Sequence, residues 1–205
     1  HVTIDQSQRA SMNAILSHSV DLEALDLHYQ YLSSPELDGR KYGSVGSKKA
    51  QEYLVNRLKQ SGIRPFLSDY QHHFKFQKPF KSIEGTNIIG LLPSQVKSDD
   101  YIVLTAHYDH LGNGYLGADD NASGTAALLS ISEQLTTQVL NINVIVLFTD
   151  AEEAGLLGAK AFAKDHKQVM DSTILNVNMD MLAGSEHSKK LHYIAYGMHK
   201  ILFDE

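Results

Sequence analysis

Seven ionisable side chains stand out in this sequence because each follows an apolar run or precedes a run with helical periodicity. They are His107, Asp109, Asp119, Asp120, Glu152, Glu153 and Asp180. All except the histidine are acidic, and like charges a few ångströms apart in a partly desolvated cleft shift each other's pKa values by whole units. If these groups meet in the fold, a bound divalent cation is needed to remove their mutual repulsion.

The types of ligand on offer indicate which cation. The chain contains no cysteine, so thiolate ligands, thiol catalysis and disulfide bridges are excluded. Imidazole combined with several carboxylates suits Zn(II), and Mn(II) or Co(II) can use the same set, whereas calcium prefers carboxylates and carbonyls without imidazole. The sequence therefore predicts a zinc site.

Two short motifs suggest a division of labour around that metal. In an extended strand end, residues i and i+2 face the same side, so the carboxylate of Asp109 can hold the free ring nitrogen of His107 and need not be a ligand itself. Glu152 and Glu153 are adjacent and cannot point the same way. One of them can bind metal while the other acts as a general base on a metal-bound water, which is the arrangement that hydrolysis requires.

Alternating apolar and amphipathic runs predict the elements that position these groups. Strands are predicted at 70–76, 87–92, 101–106, 143–149 and 174–179, and helices at 47–61, 122–135 and 155–164. This alternation is typical of an α/β protein with a mixed, mostly parallel sheet covered by helices on both faces. Ligands of such sheets lie beyond the carboxyl ends of the strands, which is where the ionisable residues fall.

Length and turn signals predict the domain organisation. With 205 residues, one main domain is expected, assigned to 41–205 after an N-terminal helical flank and loop at 1–40. The turn-rich stretch at 33–46 is predicted to be a surface loop. The Asn121-Ala122-Ser123 triplet matches a glycosylation sequon, but a glycan there would block the cleft, so the match is interpreted as accidental.

Composition limits the partners. The formal net charge of −6 at pH 7 disfavours nucleic acid as a partner. No window approaches the length of an apolar membrane span. The first residue is His1, which indicates a processed or trimmed chain, and together with the lack of cysteine this predicts an exported protein, periplasmic or extracellular.

Four motifs together resemble the M28 family of co-catalytic zinc peptidases, the aminopeptidase group. They are AHYDH at 106–110, GADDNASG at 117–124, DAEEAGL at 150–156 and NMDM at 178–181. The stretch from 32–40 to 61–63 is similar to the lead-in of bacterial members, so the resemblance covers most of residues 22–182. It implies a three-layer zinc-aminopeptidase fold, a metallopeptidase domain over 41–205, a peptide substrate cleaved at its N-terminus and two zinc ions in the full-length protein.

The resemblance also implies a role for each matching residue. His107 and Asp180 would hold one zinc ion, Glu153 would help to hold the other, and Asp120 would bridge the two. Glu152 would be the general base. Asp109 is placed with the catalytic residues as the partner of the metal-binding histidine.

The family's last ligand, a histidine in a C-terminal loop, has no evident counterpart in the sequence. His187, His192 and His199 come too soon, and His110, His72 and His73 are interpreted as surface or strand histidines. The chain is therefore expected to be incomplete at its C-terminus, nearly inactive and able to bind at most one metal ion tightly. A predicted strand at 191–196 would leave an exposed sheet edge through which the chain could self-associate.

Two alternative functions remain open at this point. The glutaminyl-cyclase type of single-zinc acyltransferase shares the scaffold, and assays of aminopeptidase activity against glutamine cyclisation would separate the two. A non-catalytic metal-binding module is the other alternative. The presence of both Glu152 and Glu153 argues against it.

Overall fold

A six-stranded mixed sheet forms the centre of the part of the chain that the computed structural model describes, residues 20–78 and 81–183. Its strands are β1 (Arg64–Pro65), β2 (Gln71–Lys78), β3 (Lys81–Leu92), β4 (Tyr101–His107), β5 (Asn143–Thr149) and β6 (Thr173–Asn178). The helices are α1 (Leu22–Leu32), α2 (Val45–Gln60), α3 (Gly124–Leu135), α4 (Leu157–Asp165) and α5 (Lys167–Asp171), and a 3₁₀ segment spans Pro35–Arg40. The strand order is β1-β3-β5-β4-β6, and β2 also pairs with β3.

The sheet has a parallel part and an antiparallel part. Strand β4 pairs in parallel with β5 and β6, whereas β3 pairs antiparallel with β1, β2 and β5. The mixed α/β class is confirmed, but the antiparallel share in the described residues is larger than the predicted mostly parallel sheet implies. The reason is the short connection between β2 and β3, which allows only an antiparallel hairpin, since a parallel pair needs a crossover of a dozen or more residues.

Strand β5 explains why helices cover both faces of the sheet. Val144, Val146 and Phe148 pack on one side, in the core cluster that includes residues of α1, α2 and α3. Ile145 and Leu147 point to the other side, in the cluster that includes Phe162 of α4. Each such side chain contributes roughly 1.5–3 kcal/mol when fully buried. A strand that is apolar on both faces therefore requires helices on both, as predicted.

Several elements lie where the sequence placed them. Helix α2 begins at Val45, two residues before the predicted start, because the Ser44 hydroxyl accepts the N–H of Ser47 at 3.0 Å and caps the helix. Just after its end, Gly62 adopts a left-handed φ of 74°. The bounds of β5 are those predicted.

The stretch at 33–46 is not simply the surface loop that its turn residues predicted. Leu37, Gly39 and Arg40 of the 3₁₀ segment are buried. Leu37 joins the core cluster formed by α1, α2 and α3. The segment is buried because the Leu37 side chain packs in this core. In addition, the buried guanidinium of Arg40 finds backbone carbonyl acceptors.

Some predictions fall outside the described residues. They concern the part of the predicted N-terminal helical flank that precedes residue 20 and the strand at 191–196, so self-association through that strand stays a prediction. None of the helices between residues 20 and 183 that the structure describes has both the length and the apolar character of a bilayer-spanning segment.

Candidate metal centre

The carboxyl ends of β4 and β6 bring three predicted ligands together. His107 is the last residue of β4, Asp180 follows β6, and Asp120 lies in the turn before α3. The Nε2 atom of His107 lies 3.1 Å from Oδ1 of Asp120 and 3.3 Å from Oδ1 of Asp180. The parallel pairing of β4 with β6 causes this convergence, because both strands end at the same edge of the sheet.

The other ring nitrogen of His107 is held by Asp109. Its Nδ1 lies 3.1 Å from the backbone oxygen of Asp109 and 3.7 Å from the carboxylate oxygen Oδ1. The sequence predicted the carboxylate as the partner, but the nearer acceptor is the backbone carbonyl. The fully buried Asp109 carboxylate accepts the backbone N–H groups of Glu152, at 2.9 Å, and Glu153, at 3.4 Å. Asp109 therefore couples the end of β4 to the loop that carries both glutamates.

The surroundings of His107 favour a positive charge. Burial alone lowers the pKa of this imidazole, but hydrogen bonds and charge interactions with Asp109 and Asp180 outweigh burial and raise the pKa to about 10. The same interaction lowers the pKa of Asp180. A divalent cation bound by His107, Asp120 and Asp180 would supply a positive charge that these carboxylates stabilise. One imidazole and two carboxylates are a donor set that zinc accepts.

A second group of possible ligands shares Asp120 with the first. It consists of His110, Asp120 and Glu153, which offer ligand atoms within 4.8 Å of one another. The Nδ1 atom of His110 lies 2.6 Å from Oε1 of Glu153 and 3.8 Å from Oδ2 of Asp120. The interpretation of His110 as a surface or strand histidine is wrong, because its side chain is 11% exposed and faces these carboxylates. Its place three residues after His107, in the loop that follows β4, was the available signal.

The two adjacent glutamates diverge. Glu153 belongs to the second ligand group, whereas Glu152 belongs to neither group found among the described residues. Glu152 instead lines a cavity of about 320 Å³ together with His107 and Asp180. Burial raises the pKa of Glu152, and the neighbouring carboxylates raise it further while His107 lowers it. A raised pKa strengthens a carboxylate as a proton acceptor.

Asn121 ties the loop of Asp120 to the loop of Asp180. Its Nδ2 donates to the backbone oxygen of Met179 at 2.9 Å, and its Oδ1 accepts the N–H groups of Gly124 at 3.0 Å and Met181 at 3.2 Å. This role was not predicted from the sequence. Because the side chain is fully buried and its amide is engaged, it is not available as a glycan acceptor, which agrees with the interpretation of the sequon as accidental.

Asp119 supports the same turn from the other side. Its Oδ1 accepts the N–H of Ala183 at 2.9 Å and lies 3.4 Å from the hydroxyl of Ser123. Asp119 is in neither ligand group of the described residues. Of the two adjacent aspartates, only Asp120 therefore faces the candidate metal positions.

Arg40 lies beneath the site and was not singled out in the sequence. This fully buried guanidinium donates to the backbone carbonyls of Tyr108, at 2.7 Å, and of Leu116 and Gly117, both at 2.9 Å, and also to that of Leu32. Burial lowers its pKa to about 10, opposed by Asp109 and Asp120, so it stays protonated at neutral pH. Arg40 thus fixes the residues that lead into the turn of Asp120.

Replacing Arg40 with methionine is expected to lower the free energy of unfolding by more than about 4 kcal/mol, because several buried carbonyls lose a charged donor at once. Arg40→Lys should lose less, since it keeps the charge but not the planar fork of donors. Urea titration measures both, with Arg64→Met, at an exposed arginine of β1, as the control. An Arg40→Met protein as stable as the control would contradict this role.

Comparisons with known proteins agree with the motifs and the fold. A family model described as peptidase family M28 matches residues 87–201, more than half of the chain. The chain is 30% identical over 157 residues to aminopeptidase YwaD of Bacillus subtilis, and the match covers 74% of this chain but only 31% of that protein. The chain thus spans about a third of the length of this curated relative.

Solved structures show a similar fold. A zinc-dependent exopeptidase from Parabacteroides distasonis has a TM-score of 0.62 and 23% identity, with 77% of this chain and 61% of that chain covered. A glutaminyl cyclase from Porphyromonas gingivalis has a TM-score of 0.66 and 20% identity, with 78% and 58% covered. From its sequence match, the chain belongs to peptidase family M28.

Proposed function

We propose that this chain is part of a zinc-dependent hydrolase that removes N-terminal amino acids from peptides. The observation that carries the proposal is the pair of ligand groups that share Asp120, while Glu152 belongs to neither group among the described residues and lines the adjoining cavity. In this proposal His107 and Asp180 hold one zinc ion, Glu153 helps to hold a second, and Asp120 bridges them. Family membership and the aminopeptidase relative support this choice of reaction.

The protein groups have separate tasks in the proposed reaction. Bound zinc would polarise the scissile carbonyl and make the attacking water more acidic. Glu152 accepts a proton as water attacks the carbonyl carbon and returns a proton to the leaving amine when the C–N bond breaks, so that it ends the cycle unchanged. Asp109 holds the backbone of Glu152 and orients the ring of His107.

Activity on substrates with free and blocked N-termini tests the reaction. The complete zinc-loaded protein is expected to release 4-nitroaniline from an L-aminoacyl 4-nitroanilide but not from its N-acetyl derivative. Cleavage of the acetylated substrate at an equal rate would contradict removal of N-terminal residues.

A second assay separates hydrolysis from acyl transfer, because a glutaminyl cyclase is among the similar structures. A peptide that begins with glutamine is expected to lose that residue as free glutamine. Its conversion to a pyroglutamyl peptide of unchanged length, seen by mass spectrometry, would replace the peptidase proposal with the cyclase alternative. Export remains a prediction from composition and is separate from both assays.

A further inference from the structure

We propose that Asp150 is a positioning residue, which holds the backbone of Ala151 and thereby directs the proposed base Glu152; this inference rests on the proposed function. Asp150 directly follows β5 and is fully buried, and the proposed reaction gives its carboxylate no task. Its Oδ1 accepts the N–H of Ala151 at 2.8 Å, and its Oδ2 accepts the N–H of Thr86 at 2.9 Å. The carboxylate therefore joins the start of the glutamate loop to β3.

Ala151 has a backbone conformation that needs support. It is a fully buried residue with a φ of 54°, in the left-handed region that residues other than glycine rarely adopt. For an L-residue this conformation is disfavoured by a factor of roughly 5 to 30. The hydrogen bond from the N–H of Ala151 to Asp150 helps to keep it. Because the chain turns at Ala151, this φ sets the direction in which Glu152 leaves the end of β5.

Two buried carboxylates accept the N–H groups of this loop. Asp150 accepts that of Ala151, and Asp109 accepts those of Glu152 and Glu153. Three successive N–H groups thus each have a fixed acceptor. Asp150 acts on the residue before the proposed base, and Asp109 acts on the base and on the residue after it. The position of Glu152 therefore depends on both carboxylates.

The charge of Asp150 is held in place by its hydrogen bonds. Burial and the nearby carboxylate of Asp109 raise the pKa of Asp150 to about 7. Bonds donated by Thr86, Tyr108 and Ala151 act in the opposite direction and favour the ionised form. Asp150→Asn keeps the size of the side chain, but an amide can accept at only one of the two oxygen positions. Variants are therefore compared above this pKa, where the carboxylate of wild type is ionised.

The test compares Asp150→Asn with wild type in the complete zinc-loaded protein, with an L-aminoacyl 4-nitroanilide as substrate. We expect kcat to fall by roughly 10- to 100-fold because the base is displaced. KM and zinc content should not change, because Asp109 still holds Glu153. Adding Ala151→Gly should restore kcat by at least about 5-fold, since glycine adopts the left-handed conformation without support.

Two controls separate positioning from a loss of stability. Asp150→Asn combined with Ala154→Gly places the glycine in the same loop at a residue without a positive φ, so it should restore nothing. Leu54→Ala removes a fully buried side chain from the core that α2 shares with α1 and α3. This variant should unfold at a lower temperature while the folded enzyme keeps the kcat of wild type.

The possible outcomes separate this inference from the proposed function. Wild-type kcat in Asp150→Asn, zinc loss in step with activity, or no specific recovery with Ala151→Gly overturns the positioning role and leaves the peptidase proposal standing. No release of 4-nitroaniline by wild type overturns both. If Asp150→Asn does not fold, a crystal structure of zinc-loaded wild type decides. A positive φ at Ala151 with the Asp150 oxygens within about 3.2 Å of the nitrogens of Ala151 and Thr86 supports the role, and any other geometry overturns it.

Discussion

Replacing Asp120 with alanine is expected to remove zinc from both positions and to reduce peptidase activity to the background level. The reason is that Asp120 is the only residue common to the two ligand groups found in the described part of the chain. Its two oxygens lie 3.1 Å from His107 Nε2 and 3.8 Å from His110 Nδ1. The substitution therefore leaves each position with one ligand fewer. Zinc per protein, measured by elemental analysis beside the activity assay, reports the outcome.

Asp119→Ala is the matched control, because it removes the neighbouring carboxylate from the same turn. Asp119 bonds to Ser123 and Ala183, so this variant should lose about 1–3 kcal/mol of stability but keep its zinc. If Asp120→Ala retained the stoichiometry of wild type, the bridging role would be wrong. Equal zinc loss in both variants would instead indicate that a general disturbance of the turn is responsible.

Glu152→Gln should separate catalysis from metal binding. The substitution keeps the size of the side chain but removes its ability to accept a proton, and Glu152 is in neither ligand group of the described residues. Turnover is expected to fall by roughly 100- to 10,000-fold, the usual contribution of a general base. Zinc content should stay at the wild-type value, so both kcat and bound metal must be measured on the same preparation.

Glu153→Gln is the counterpart, because it alters the adjacent residue but is expected to weaken the second zinc ion. The pair thus tests the division of labour between the two glutamates. A zinc-loaded Glu152→Gln enzyme with wild-type kcat would contradict the base assignment. If metal loss followed Glu152→Gln and not Glu153→Gln, the two roles would have to be exchanged.

The strands and helices that position the site could be predicted where a run of neighbouring residues was enough to identify the element. An apolar, β-branched run such as residues 143–149 is typical of a buried strand, and polar residues at the carboxyl ends of parallel strands meet at one edge of the sheet. The pairing directions of β2 and β3 were harder to predict. The direction in which two strands pair depends on the length of the connection between them and not on the composition of either strand.

The supporting contacts of the site could not be predicted because they join residues far apart in sequence. Arg40 lies in a segment rich in glycine and turn residues, and only the folded chain brings it beneath Gly117. Asn121 looks like part of a sequon until its bonds to Met179 and Met181 are seen. In the sequence, His110 cannot be distinguished from any other loop histidine. Only the structure shows that its side chain packs against Gly117.

The bonds of Asn121 also bear on how the proposed metal centre would exchange an ion. They join the turn before α3 to the end of β6 through protein atoms alone, so the spacing between Asp120 and Asp180 is set by the fold itself. Small zinc domains behave differently, because they acquire their structure only when the ion binds. If the proposed ligand set is correct, these bonds hold the loops of Asp120 and Asp180 together without the ion, and we expect an ion to be removed and replaced while the polypeptide stays folded.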